Sequence, residues 1–344
     1  MKTLEIDGGT GRSTLYVGER LRNVKDYIPD TPVVILTDAA VRQYYGHLFP
    51  SAEVIEIGQG EGIKTLDTVQ SIYRRLVELE ADRSVFILGI GGGIVCDVAG
   101  FVASTYLRGV RFGFAATTLL AQVDASVGGK NGVNFAGYKN MVGVFNQPEW
   151  VVCDMELLKT LPKREVLSGF AEIIKHGAIG DADLFGFLES RADRALGLDL
   201  EVIERLVYDS VVIKASIVNR DERERGERRK LNFGHTFGHA VEKVTRIPHG
   251  EAVSIGMAVA ARLSVQKGLL SQDRAGRIPA LIDRYGLPSR LEVNPGDAID
   301  ALRRDKKREG DRINFVLLRD IGEAVVREIP LTELEAVVYE LCEH

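Results

Sequence analysis

The chain has 344 residues, 45% of them hydrophobic and 27% charged, with 44 basic against 49 acidic side chains for a formal net charge of −5. That length suits two domains, the balance is that of an ordinary globular protein, and the acidic excess argues against a nucleic-acid binder. Cys96, Cys153 and Cys342 suggest neither a disulfide framework nor a CxxC metal site; Met1–Gly11 lacks a signal-peptide core, and no apolar run reaches membrane-span length, so a cytoplasmic, non-membrane protein is expected.

In chain order, Val33–Thr37 reads as a buried strand with Asp38 at its end, and Val54–Ile57 as a second strand. A Gly-rich turn and a helix over about Thr65–Glu80 come next. Val85–Leu88 reads as a third strand, running straight into Gly89-Ile90-Gly91-Gly92-Gly93 and another helix. Strands alternating with helices predict a parallel sheet with right-handed crossovers. From about Pro162 the pattern turns helical: Arg164–Ile179, Leu200–Asn219, Asn232–Thr245, Glu251–Lys267 and Gln272–Tyr285. Strand signals return at Ile313–Leu318 and Glu323–Arg327. The shift predicts an α/β domain over residues 1–160 and a mainly α-helical domain over 161–344.

Three features carry chemistry. A strand ending in Gly91-Gly92-Gly93 and opening a helix lets backbone N–H groups approach a phosphate at the positive end of the helix dipole; a tight turn without a ligand explains the glycines equally well. Three of the six histidines cluster as His235, His239 and His249. His235 and His239 share a helical face at i, i+4, and Glu172 stands on an apolar helix where a charge needs a partner. A lone His pair is more often core packing, but a third His and an apolar-flanked Glu favour a metal. Lys130 and Lys139 lie in a loop rich in glycine and asparagine, Val127–Asn140, suited to phosphate contacts. Asp97 and Asp124 sit in apolar segments, where a carboxylate must be paired. Arg220–Lys230 reads as a solvated loop, with Arg228 the exception.

Together these pieces resemble the 3-dehydroquinate synthases, within the wider sugar phosphate cyclases, over roughly Thr37–Leu318. The most specific stretches are Gly91–Arg108, Thr117–Asn140, Gly169–Lys175, Leu231–His239, His249–Glu251 and Asp305–Lys307. In place of the family's common His-Pro stretch, this chain reads Val133-Asn-Phe-Ala-Gly-Tyr-Lys139.

The resemblance implies a dehydroquinate synthase-like fold, an NAD-binding domain joined to a helical metal-binding domain with the active site in the cleft between them, and usually a homodimer. It implies a zinc or cobalt ion held by Glu172, His235 and His249, with His239 on the phosphate side and not a ligand. For NAD+ it implies Asp38 by the adenine ribose, Glu61 and Lys64 in the Gly-Glu-x-x-Lys loop, and Gly91, Gly92 and Gly93 at the pyrophosphate. Asp97, Thr117, Thr118, Lys139 and Thr160 would surround the nicotinamide half, and Lys130 would also contact the cofactor. For the substrate it implies Asp124, Lys130, Asn140, Lys175, Lys214, Arg228, Asn232, His239 and Lys307, with Arg108 supplied across the dimer interface. The implied reaction converts 3-deoxy-D-arabino-heptulosonate 7-phosphate to 3-dehydroquinate and phosphate, a step of aromatic amino-acid biosynthesis, by transient oxidation, phosphate elimination, reduction and intramolecular aldol closure. The alternatives are another sugar phosphate cyclase or a metal- and NAD-dependent polyol dehydrogenase.

Overall fold

The computed structural model of the protein describes residues 1–290, 296–297, 299–300, 308–309 and 312–342. The chain forms two compact units. One comprises Met1–Pro162 with Lys214–Arg223; the other comprises Lys163–Ile213 with Glu224–His344. Among the described residues no helix is long and apolar enough to cross a membrane.

The first unit is built on a seven-stranded sheet. Its strands are β1 (Lys2–Gly8), β2 (Gly11–Val17), β3 (Val33–Asp38), β4 (Glu53–Ile57), β5 (Phe86–Gly91), β6 (Arg111–Ala116) and β9 (Trp150–Cys153). The order is β1-β2-β9-β6-β5-β3-β4. All neighbours are parallel except β1 and β2. Every residue of β5 and of β9 is buried, as the two-sided burial of central parallel strands requires. Ile35, Phe86, Leu88, Ile90, Trp150 and Val152 form the core on one side, with the Phe86 and Trp150 rings stacked at 5.7 Å. Helix α1 (Ala39–Tyr45) follows β3. Helix α2 (Leu66–Glu78) is capped by Thr65, whose side chain accepts from the Thr68 N–H, and it buries Val69, Ile72 and Leu76 along one stripe. Helix α3 (Gly93–Thr105) follows β5 directly. The chain passes from β3 outward to β4, then returns to β5 on the other side of β3. The switch point therefore lies between the carboxyl ends of β3 and β5, where open α/β sheets bind ligands.

The N-terminus forms the antiparallel pair β1–β2, in which Ile6, Ser13, Leu15 and Val17 are buried between residues that are at least partly exposed. Two sequence expectations are corrected here. The segment Val127–Asn140, expected as a loop, enters a two-stranded hairpin of β7 (Lys130–Phe135) and β8 (Tyr138–Phe145). Its glycines and asparagines mask an inward face of Asn131 and Val133. The helix expected from Asn232 begins at His235: Glu227–Asn232 is a 3-10 turn, and Gly234, at φ +79, breaks the backbone between them.

The second unit contains α4 (Lys163–Gly180), α5 (Ala182–Leu196), most of α6 (Leu200–Arg220), α7 (His235–Thr245), α8 (His249–Gln266) and α9 (Gln272–Arg284). Beside them lies the antiparallel sheet β10-β11-β12, formed by Arg308–Glu309, Arg312–Asp320 and Glu323–Pro330. Helix α8 is apolar nearly all round and buried along most of its length, marking it as the central helix of the unit. It crosses α7 with backbone against backbone. A Cβ added at Gly256 would lie 1.9 Å from the Gly234 carbonyl oxygen, so only glycine permits this approach.

Candidate functional site

In the second unit, that crossing sets His235, the first residue of α7, near His249, the first residue of α8. Glu172 reaches them from the middle of α4, where it is completely buried. One Glu172 oxygen, Oε1, lies 3.5 Å from His235 Nε2 and 3.4 Å from His249 Nε2. Ligand atoms about 2.0–2.1 Å from a tetrahedral ion stand about 3.3–3.4 Å from one another, so these distances are the edges of a zinc-type tetrahedron. The remaining ring nitrogens are engaged as metal-ligating histidines require. His235 Nδ1 lies 3.2 Å from the Phe233 carbonyl oxygen and His249 Nδ1 lies 3.4 Å from Glu242 Oε2. Each contact favours the tautomer that leaves Nε2 its lone pair. The donor set of one carboxylate and two imidazoles fits zinc or cobalt.

The electrostatics agree. Burial alone would raise the Glu172 carboxyl, but Lys175, His235 and His249 together hold it well below the usual carboxylate range. Lys175, one turn along α4 and almost fully buried, pairs directly with it. Burial, with Lys175 and His249 adding to it, keeps the His235 imidazole well below its ordinary value despite Glu172, so it is neutral. Burial would also lower His249, but Glu172 and Glu242 on its two nitrogens lift it to about 9.

His239 lies on the exposed side of α7, its ring 5.3 Å from that of His235. It can group with Glu242 and His249, and not with Glu172 and His235. The i, i+4 histidine pair is thus split between two environments. Arg228 is buried on the 3-10 turn, and Asn232 on the same turn donates to Glu224 Oε1. Residues 301–307, Lys307 among them, lie outside the described residues. The sequence reading missed Glu242 and the buried pair His176 and Ser210, joined at 2.6 Å. For Glu242 the available signal was its position one helical turn after His239.

In the first unit, Asp38 ends β3 and its side chain accepts from the Val41 N–H at 3.0 Å, capping α1. Across the switch point, α3 opens at Gly93 with no side-chain cap, which leaves first-turn N–H groups for an anion. The glycine turn is closely walled. A Cβ at Gly91 would meet Val95 at 2.5 Å, one at Gly92 would meet Thr118 at 2.9 Å, and one at Gly93 would meet Ala125 at 2.8 Å. The bare backbone and the uncapped helix fit a dinucleotide's pyrophosphate. Thr117 N–H donates to the Gly91 carbonyl at 2.9 Å, and Thr118 Oγ1 accepts from Ala121 N–H at 3.1 Å.

Lys64 is buried, and its ammonium donates to both Asp97 and Asn140. Burial raises the Asp97 carboxyl, and Lys64 only partly offsets it. Lys214 Nζ donates to Asp124 Oδ1 and to the Asp124 carbonyl, each at 2.5 Å. Lys130 and Lys139 are exposed on the hairpin. The Thr160 hydroxyl lies 2.6 Å from the Tyr45 hydroxyl. Arg108 is exposed with φ +69, beside Leu107 at φ +48.

Residues 54–168 match the family model described as 3-dehydroquinate synthase N-terminal, and residues 169–308 match 3-dehydroquinate synthase C-terminal. A 3-dehydroquinate synthase of Dehalococcoides mccartyi is 44% identical over 316 residues, covering 89% of this chain and 88% of that one. Among solved structures, 2-deoxy-scyllo-inosose synthase complexed with carbaglucose-6-phosphate, NAD+ and Co2+ superposes with a TM-score of 0.89 at 27% identity, covering 98% of this chain and 100% of the other. The 2-epi-5-epi-valiolone synthase of Streptomyces hygroscopicus, with NAD+ and Zn2+ bound, gives 0.87 at 28% identity, covering 96% of each chain. The fold is that of the sugar phosphate cyclases, an α/β unit with a helical partner unit. Within that class, the chain is an enzyme of the 3-dehydroquinate synthase family.

Proposed function

We propose that this chain acts as a 3-dehydroquinate synthase, a carbon–oxygen lyase converting 3-deoxy-D-arabino-heptulosonate 7-phosphate to 3-dehydroquinate and phosphate. The observation that carries the reading is the buried Glu172–His235–His249 cluster, whose two Glu172-to-imidazole distances match edges of a tetrahedral metal site, in a chain 44% identical to a 3-dehydroquinate synthase. Glu172, His235 and His249 would hold zinc or cobalt, which would supply Lewis acidity toward the substrate's hydroxyls. Gly91–Gly93 and Asp38 would hold NAD+, which would supply a reversible hydride acceptor.

The chain's own side chains bind and orient the substrate. Arg228 pairs with the carboxylate, ideally through two parallel hydrogen bonds, with help from Lys214. Lys130, Asn140, His239 and Lys307 take the phosphate. Lys175 and Asp124 address ring hydroxyls; Asn232 supports the carboxylate side. Glu61, Lys64, Asp97, Thr117, Thr118, Lys139 and Thr160 position the cofactor. A carboxylate-binding arginine favours this substrate over those of the cyclases that act on carboxylate-free sugar phosphates. The active form is proposed to be a cytoplasmic homodimer to which Arg108 contributes across the interface.

The test is phosphate release from the heptulosonate phosphate with NAD+ and zinc, with NADH absorbance read in parallel. Steady phosphate release, no net NADH and loss of activity on chelation are expected. Accumulating NADH would instead identify a polyol dehydrogenase. Turnover only of carboxylate-free sugar phosphates would identify a different cyclase.

A further inference from the structure

Asn134 lies outside every role assigned above, yet its polar groups reach three of the residues that carry those roles. The β7–β8 register slips between Val133 and Phe135, so Asn134 is bulged out of the ladder. There it turns to the segment after β4 and makes an isolated parallel bridge with Thr65. Its N–H donates to the Lys64 carbonyl at 2.8 Å. Its Nδ2 donates to Glu61 Oε1 at 2.8 Å. Its Oδ1 accepts from the Asn140 N–H at 2.9 Å. Asn140 is thereby held at φ +50, in the left-handed region, with its side chain on the Lys64 ammonium.

The chemistry demanded at this position is narrow. One side chain must donate to a carboxylate and accept from a backbone amide within the reach of a single Cβ–Cγ bond, and the asparagine amide does both from two atoms of one planar group. An aspartate keeps the acceptor for Asn140 but sets a second carboxylate against Glu61.

We propose that Asn134 is a positioning residue that locks the Glu61–Lys64 loop to the tip of the β7–β8 hairpin, so that the cofactor-side pair Glu61 and Lys64 and the phosphate-side Asn140 are set as one unit. The inference rests on the cofactor reading above. It also accounts for the bulge, which frees one residue from the ladder to make these bonds.

The experiment is a charge-swap cycle on the full-length, metal-loaded protein: Asn134→Asp, Glu61→Gln, and the two combined. NAD+ affinity is read by calorimetry and thermal stability alongside it. Asn134→Asp is expected to weaken NAD+ binding by about tenfold or more, the scale of one lost hydrogen bond to a charged group. Adding Glu61→Gln restores a donor facing an acceptor with the polarity reversed, and binding should return to within a few-fold of Glu61→Gln alone. A merely structural asparagine would lower thermal stability without that rescue, and a double variant no tighter than Asn134→Asp overturns the inference. Unchanged NAD+ affinity in Asn134→Asp overturns it too, while leaving the cofactor reading intact. No NAD+ binding by the unsubstituted protein removes both.

Discussion

The Glu172–Lys175 pair separates what the second unit needs to fold from what it needs to bind metal. Both side chains are almost wholly buried, so removing either leaves charge where water cannot reach. The two removals are not equivalent. Glu172→Gln keeps the shape but leaves the Lys175 ammonium near the His249 imidazolium, and should cost about 3–5 kcal/mol, the range for a broken buried pair. Lys175→Met leaves Glu172 still facing His249 and should cost less, about 1–3 kcal/mol. With both changes no pair charge remains, and stability should return to within about 1 kcal/mol of the starting protein, because buried pairs are often replaceable by apolar groups of similar volume. Metal binding should behave differently: Glu172→Gln and the double variant both lose it. The assay is urea unfolding of chelator-treated protein beside a metal titration. Additive destabilisation in the double variant, or Lys175→Met costing more than Glu172→Gln, would refute the reasoning.

Metal affinity should rise with pH, by up to about tenfold per unit, until it levels near the raised His249 value of about 9, because His249 must lose its proton to coordinate; competition against a chromophoric chelator across a pH series checks this, and a flat profile counts against it. Glu242→Gln should weaken metal binding by about 10–100-fold through loss of the carboxylate on His249 Nδ1, with little change in secondary structure by circular dichroism. Arg228→Ala should raise KM sharply for a substrate carrying a carboxylate, and an unchanged KM would remove Arg228 from that role. Gly256→Ala should lower both thermal stability and metal affinity, since its Cβ would overlap the Gly234 carbonyl; a normal metal-titration curve would refute the second part.

The fold was legible where burial imposes a simple pattern. Strand β5 is apolar throughout because both its faces are covered, and α2 shows its stripe because only one face is. Strand β9 is four residues long and gives too little pattern to separate it from a loop. The β7–β8 hairpin hid behind glycines that the sequence also uses at turns. Residue types identified the site but not its internal bonds. Glu172, His235, His239 and His249 stood out by chemistry, but only the resemblance set His239 apart from the other three; Arg228 is buried, unlike the solvated surroundings expected around it. The Lys64 contacts to Asp97 and Asn140, and the Asn134 contact to Glu61 across 73 positions, depend on backbone paths with no local signature.

The glycine contact between α7 and α8 also bears on how the ligand spacing responds to substitution. The spacing of His235 and His249 is set by main chain meeting main chain, not by the bulk of the side chains packed around the two helices. Exchanging apolar residues elsewhere in the unit should change stability while leaving the interval between the two imidazoles nearly unchanged. A side chain at either glycine would push the two helices apart and so act on the ligand spacing directly.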